Sequence, residues 1–238
     1  MPAERAAKLR QWQDRLFESI DRDNGVTLDY LGMKLEVPPQ VHPPSPQPEL
    51  LGRALLAEVR EPDRVLDMGT GSGVNAFLAA SKSQDVVAVD NNPYAVECAI
   101  ANAARNGLAS RIAVIEGDLF DAVEGTFDLI VFDPPFRWFA PRDIRETAST
   151  DENYRTLTAF FEQVDRYLAA HGRILIGFGS SGDLAYLHHL IGSAKMEMET
   201  LDSWGLTKDG LEVEYYAYRL TRRWVSGRSR DPPARLVS

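Results

Sequence analysis

An α/β fold with a doubly wound, mostly parallel sheet is predicted by three features of the sequence. From Asp63 onward, short runs rich in Val and Ile alternate with helical segments. The runs are apolar almost throughout, as strands covered by helices on both faces must be. Two of them end in breakers: Val65–Met68 runs into Gly69–Gly73, and Phe127–Phe132 runs into Asp133-Pro134-Pro135-Phe136. The third feature is a change of rhythm near the C-terminus. Two strand-like runs, Lys195–Ser203 and Glu212–Thr221, follow one another with no helix between them. They predict an antiparallel hairpin that closes one sheet edge.

Ala3–Ile20 carries Leu9, Trp12, Leu16, Phe17 and Ile20 at helical spacing and predicts an amphipathic helix. Val26–Val37 predicts two short extended segments. The Pro-dense connector Val37–Pro48 cannot join a helix or a sheet interior, because proline fixes φ and lacks an N–H. Pro48 and the Glu-Leu-Leu after it predict a helix that opens at a proline. Strands follow at Val65–Met68, Val86–Asp90, Arg111–Asp118, Phe127–Asp133 and Arg173–Gly179, with a helix near Asp151–Ala169 before the last. The polar stretch Ser226–Ser238 is expected to be a disordered tail. The expected division is a lead-in over residues 1–48, a main domain over 49–225 and a tail over 226–238.

Composition narrows the function classes. The chain of 238 residues suits one sizeable α/β domain, and 44% hydrophobic with 26% charged residues is ordinary for a globular protein. No apolar run reaches the roughly 18 residues that span a bilayer, and the charged N-terminus has no signal-peptide core. Cys98 is the one cysteine, which excludes an internal disulfide and a Cys-rich zinc site and suits a reducing cytoplasm. A net charge of −9 opposes a phosphate backbone, so DNA is not expected as partner, and without a spanning run neither is a membrane. A local basic patch of Arg222, Arg223, Arg228, Arg230 and Arg235 leaves RNA open. No metal is expected, because His188 and His189 are adjacent on a helix and point apart. A monomer or homodimer is expected.

The glycines of Asp67-Met68-Gly69-Thr70-Gly71-Ser72-Gly73 allow a sharp turn and close approach to a ligand. The helix that follows offers free N–H groups to a carboxylate or another anionic group. A dinucleotide fingerprint wants a further small residue where Val74 stands. Asp90, which opens Asp90-Asn91-Asn92-Pro93 after the second of these strands, suits a ribose, since a carboxylate accepts from both hydroxyls. Its other reading is a cap for the helix at Pro93. Asp118 can take an adenine amino group, with Leu119 or Phe120 over the ring, or else cap a helix. These residues predict a nucleoside ligand.

In order and spacing, VLDMGTGSGVNAFLAA, VVAVDNNPYAVECAIANAARNGL, IEGDLF and FDLIVFDPPF resemble the successive motifs of class I S-adenosylmethionine-dependent methyltransferases. More narrowly, they are similar to the small-domain group that includes release-factor and ribosomal-protein glutamine methyltransferases. The resemblance covers roughly residues 37–179 and implies a seven-stranded sheet whose final strand is antiparallel. It implies S-adenosyl-L-methionine as cofactor, with Asp67, Gly69, Thr70, Gly71, Gly73, Asp90, Asn91, Asp118, Leu119 and Asp133 at its site. It also implies that the Pro-rich connector borders the cofactor pocket. The glutamine enzymes carry Asn-Pro-Pro-Tyr and a longer N-terminal helical domain. Asp-Pro-Pro-Phe or -Tyr occurs among methyltransferases of exocyclic amines on nucleic-acid bases.

Methyl transfer from a sulfonium needs an in-line nucleophile held about 3 Å from the carbon. A planar amide or nucleobase amine is a poor nucleophile, and two acceptors on its N–H groups stabilise the positive charge that develops. Asp133 and the Pro134 carbonyl are the expected acceptors, with Pro135 stiffening the turn and Phe136 stacking on the planar group. An ionised Asp accepts only, which favours a nitrogen presenting donors alone. The expected function is N-methylation of an amino or amide nitrogen on a protein side chain or small molecule. The alternatives are an exocyclic amine of ribosomal RNA, an NAD-linked oxidoreductase and an inactive cofactor-binding subunit. The loop Arg137–Arg142 is a candidate substrate lid.

Overall fold

The computed structural model describes residues 3–19, 24–44, 49–208 and 210–223. Helix α1 (Ala3–Ser19) and an antiparallel hairpin, β1 (Val26–Tyr30) with β2 (Met33–Val37), precede the main sheet. Alternation then sets in: α2 (Leu50–Glu58), β3 (Arg64–Met68), α3 (Val74–Ala80), β4 (Asp85–Asp90), α4 (Pro93–Arg105), β5 (Ile112–Glu116) and β6 (Phe127–Phe132). The chain ends in α5 (Arg155–Gln163), β7 (Leu168–Gly179), α6 (Leu184–Ser193), β8 (Met196–Lys208) and β9 (Leu211–Arg222).

Seven strands form one sheet in the order β5-β4-β3-β6-β7-β9-β8. The first five run parallel, and β9 and β8 pair antiparallel at the far edge. This is the expected doubly wound sheet with its C-terminal hairpin. Strand order reverses beside β3, where chain crossovers diverge and open α/β sheets leave a crevice. Side-chain alternation divides the core between the two faces. Leu66, Ile130, Phe132, Ile174 and Ile176 pack with α5 and α6. Val65, Leu129, Val131 and Leu175 pack with α2, α3, α4 and the β1–β2 hairpin. Asp67 and Asp133 fall on this second face by the same period of two.

Helix α1 buries Leu9 and Trp12 as its periodicity requires, against Phe139, Leu211 and Val213. The helix expected near Asp151–Ala169 is shorter. The Asp151 carboxylate accepts the N–H groups of Thr156 (3.0 Å) and Leu157 (3.0 Å), so the helix starts beyond it. At the other end the Phe127 N–H bonds the Tyr167 carbonyl at 2.8 Å, and Leu168 already pairs with Phe127 on β6. Sheet pairing thus captures residues that propensity alone leaves in the helix. Pro48 and the tail Ser226–Ser238 lie outside the described residues. Among the described residues no helix is long and apolar enough to cross a membrane.

At the N-terminal edge of the sheet, Arg173 enters from β7 and meets Asp63 at 2.8 Å and Glu58 at 3.2 Å. Its Nη1 also donates to the Asp128 carbonyl at 3.2 Å, so β7, β6 and the α2–β3 turn share one buried cation. Removing one member of such a set strands a desolvated charge. Arg173→Ala should therefore lower the unfolding free energy by about 3–5 kcal/mol in chemical denaturation. A loss below about 1 kcal/mol would mean that the pair behaves as a solvated surface bridge.

Candidate active site

The turn after β3 runs through Gly69, Gly71 and Gly73, all with positive φ (+68°, +54° and +90°). A Cβ at Gly73 would lie 2.1 Å from the Phe77 ring, so both conformation and space require glycine there. Asp67 ties this turn down. Its Oδ2 accepts the Thr70 hydroxyl (2.6 Å) and the Ala76 N–H (3.0 Å), which joins the turn to the first turn of α3. Its Oδ1 is buried with no hydrogen-bond partner among the described residues.

Asp90 braces the same turn from the neighbouring strand, accepting the Gly71 N–H at 2.8 Å and the Asn92 N–H at 2.9 Å. The cap of α4 is not Asp90 but Asn92, whose Oδ1 accepts the Tyr94 N–H at 3.0 Å. Asn92 also donates to the Gln40 carbonyl at 3.0 Å and so fastens the Pro-rich connector to the end of β4.

β6 ends at Phe132, and Asp133 turns its carboxylate toward β7. A Cβ on Gly177 would come within 2.6 Å of Asp133 Oδ1, so only glycine leaves room for that carboxylate. The Phe136 ring is half-buried, 5.4 Å from Phe178 and 6.2 Å from Tyr215. Tyr154 fixes the turn: its hydroxyl donates to the Phe136 carbonyl (3.1 Å) and accepts the Asp183 N–H (2.7 Å). No reading of the sequence singles out Tyr154, because its partners lie on distant loops.

These elements enclose a cavity of about 400 Å³ at the C-terminal ends of the parallel strands. Gly69, Gly71, Asp90, Asn91, Asp118, Leu119, Asp133 and Pro135 line it. Asp67, Thr70, Gly73, Pro134 and Phe136 stand behind or beside that wall. Phe120 is a core residue stacked on Tyr167 at 4.4 Å, which leaves Leu119 as the side chain facing the cavity. Turns rather than a helix follow Asp118, so it caps nothing. Val41 and His42 of the connector and residues from Ala140 to Thr156 complete the lining.

The Arg137–Arg142 loop leads into that last segment, giving Ala140 and Pro141 to the lining, and α1 pins it. Arg137 is buried, donates to Gln13 and lies 4.9 Å from the Trp12 ring. Gln13 in turn donates to Glu146 and to Ser149, each at 3.0 Å. Arg142 pairs with Glu146 at 2.6 Å and with Asp14 at 3.0 Å. Sequence periodicity marks α1 as amphipathic but carries no sign of its buried glutamine's role. Cys98 is a core residue, and both His188 and His189 are exposed. No cluster able to hold a metal occurs among the described residues.

The electrostatics of the site are dominated by three carboxylates. Burial pushes Asp67 up to about 7 despite its bonds to Thr70 and Ala76, and the charges of Asp90 and Asp133 add to the rise. Burial also raises Asp90, against the N–H groups of Asn92, Gly71 and Asn91. Asp133 is reached by solvent through the cavity yet sits deep within surrounding protein, and this desolvation pushes it up to about 6. None of the three forms an ion pair among the described residues. His42 is driven down to about 4 by burial and by the guanidinium groups of Arg137 and Arg145, so it is neutral near pH 7.

Residues 49–193, more than half of the chain, match the model of the methyltransferase small domain. A ribosomal protein uL3 glutamine methyltransferase of Bordetella pertussis is 43% identical over 100 residues, covering 40% of this chain and 34% of the relative. A release factor glutamine methyltransferase of Nitratidesulfovibrio vulgaris is 30% identical over 179 residues, covering 67% of this chain and 60% of the relative. The chain thus spans less than two thirds of the length of these relatives. Trm5 of Methanocaldococcus jannaschii, solved in complex with adenosine, shares the fold. Its TM-score is 0.63 at 18% identity, covering 85% of this chain and 56% of that one. The protein belongs to the methyltransferase small-domain family.

Proposed function

We propose that the protein is an S-adenosylmethionine-dependent N-methyltransferase whose acceptor is an amino or amide nitrogen of a protein side chain or a small molecule. The observation that carries this reading is the crowding of Asp90 and Asp133 on one cavity wall, with Asp67 buried behind it, and no ion pair to any of the three among the described residues. Carboxylates raised by burial, Asp67 further by the charges of Asp90 and Asp133, gain most from a cationic ligand. S-adenosylmethionine brings a sulfonium and an ammonium, and its sulfonium methyl is the electrophile. The pyrophosphate of a dinucleotide would meet the same carboxylates with like charge, which disfavours an NAD-linked reaction.

The residues divide the work. Asp90 keeps lone pairs for ribose hydroxyls while its backbone bonds hold the glycine turn. Asp118 and Leu119 take the adenine edge and face. Asp133 and the Pro134 carbonyl accept the N–H groups of the nucleophile, and the ionised Asp133 receives the proton the nitrogen sheds. The half-buried Phe136 offers its open side to a planar acceptor. Tyr154, Gly177 and the two prolines keep Asp133 in place, which is the main source of acceleration for a displacement of this kind. The relatives that methylate glutamine in release factors and ribosomal protein uL3 support a protein acceptor.

Asp133→Ala should lower turnover roughly 10²–10³-fold while cofactor affinity changes far less. Since only the ionised form has both oxygens free to accept and can take up the proton, wild-type kcat/KM should climb with pH through about 6, and Asp133→Asn should lose that limb. Turnover is to be assayed on release-factor peptides, amines and ribosomal RNA. Full activity of the alanine variant would reduce Asp133 to a strand terminator, and transfer to RNA alone would replace the protein acceptor. Gly177→Ala should lower turnover about 10-fold or more by displacing Asp133, with cofactor binding retained, since roughly 1 Å of misplacement costs up to about 10²-fold. Unchanged turnover in a correctly folded Gly177→Ala protein would show that the carboxylate's position is not critical.

A further inference from the structure

The acidic side of the cavity accounts for the cationic and hydroxyl groups of the cofactor, but the methionyl part also carries a carboxylate. That carboxylate is repelled by Asp67, Asp90 and Asp133, and a cation elsewhere on the wall would hold it more strongly than backbone N–H groups. Among the described lining residues the cations are Arg145 and Arg155, since His42 is neutral near pH 7. Arg155 is exposed at the start of α5, whereas Arg145 is only 5% exposed. A buried guanidinium holds an anion with little competition from water.

Arg145 is also held in place. Its Nη1 donates to the Pro39 carbonyl at 3.2 Å, which fixes the direction of the planar guanidinium. The next residue, Glu146, is anchored by Gln13 of α1 and by Arg142, and its N–H donates to Asp143 at 2.9 Å. The Arg145 side chain therefore leaves a braced turn and bridges toward the connector that carries Val41 and His42 into the lining. A fork fixed in this way matches the planar geometry of a carboxylate.

On the reading given above, we propose that Arg145 binds the carboxylate of the S-adenosylmethionine methionyl group, and that α1 serves this contact by bracing the turn that presents it. The acidic and basic walls of the cavity then correspond to the two ends of one amino acid. Arg145 is a cofactor-binding residue from the β6–α5 loop, outside the glycine turn and the acidic strand ends.

The assignment is tested by calorimetry with S-adenosylhomocysteine and its decarboxylated analogue, in which hydrogen replaces the carboxylate. The full-length wild type should prefer S-adenosylhomocysteine about 10- to 100-fold, the range for a charge-assisted hydrogen-bonded contact. Arg145→Met should bind the two ligands within about 3-fold of each other, by losing affinity for the carboxylate form alone. Arg145→Lys should keep part of the preference, and it provides the comparison if the methionine variant does not fold. A preference that survives in both variants, equal weakening of both ligands, or a wild type that does not discriminate would each overturn the assignment. A wild type that binds neither ligand would overturn the cofactor reading itself.

Discussion

Three carboxylates from three different strands meet at one cavity, Asp90 and Asp133 on its wall and Asp67 buried behind it, and most of the local architecture keeps them there. Asp67 and Asp133 emerge from the C-terminal ends of adjacent parallel strands, β3 and β6, and Asp90 from β4. Parallel strands place their ends side by side, so the sheet gathers residues that lie far apart in the chain. Each carboxylate is desolvated, and Asp67 is further destabilised by its two neighbours. The fold offsets part of this cost with N–H groups: Ala76 to Asp67, and Gly71 and Asn92 to Asp90. The remainder is stored in the site, where a cationic ligand recovers it.

The supporting structure is arranged around that constraint. Gly177 leaves space for Asp133, and Tyr154 locks the turn behind it through the Phe136 carbonyl. Helix α1 lies outside the family's matched region yet reaches the cavity wall through Gln13, Arg137 and Glu146. The loop after Phe136 is thereby a braced wall rather than a free flap. Access for a bulky acceptor then depends on the cavity mouth, where Pro141, Ile144 and Ala148 are exposed.

Much of the fold was legible in the sequence because its signals are local. Apolar strands, a glycine turn after β3 and two prolines after β6 each constrain the backbone independently of context. The parallel sheet and its antiparallel hairpin follow from them, as does the crevice at the strand ends. What escaped was set by contacts between distant segments. The α5 boundary depends on Tyr167 and Leu168 being captured by β6, which no helical period reveals. Asn92 rather than Asp90 caps α4, a distinction of two residues that rests on the folded geometry of the turn. Arg145, Gln13 and Tyr154 look like ordinary surface residues in sequence. Their importance comes from burial and from partners more than fifteen residues away.

The most direct measurement is the number of protons exchanged when the cofactor binds. Asp67 near 7 and Asp133 near 6 are partly protonated just below neutrality, and a cation beside them favours the ionised forms. Titration calorimetry with S-adenosylmethionine at about pH 6.5, in buffers of different ionisation enthalpy, reads that number directly. Net proton release is expected, greater for S-adenosylmethionine than for S-adenosylhomocysteine, which lacks the sulfonium charge. Binding with no proton release, or with proton uptake, would contradict a site built on carboxylates that await a cation.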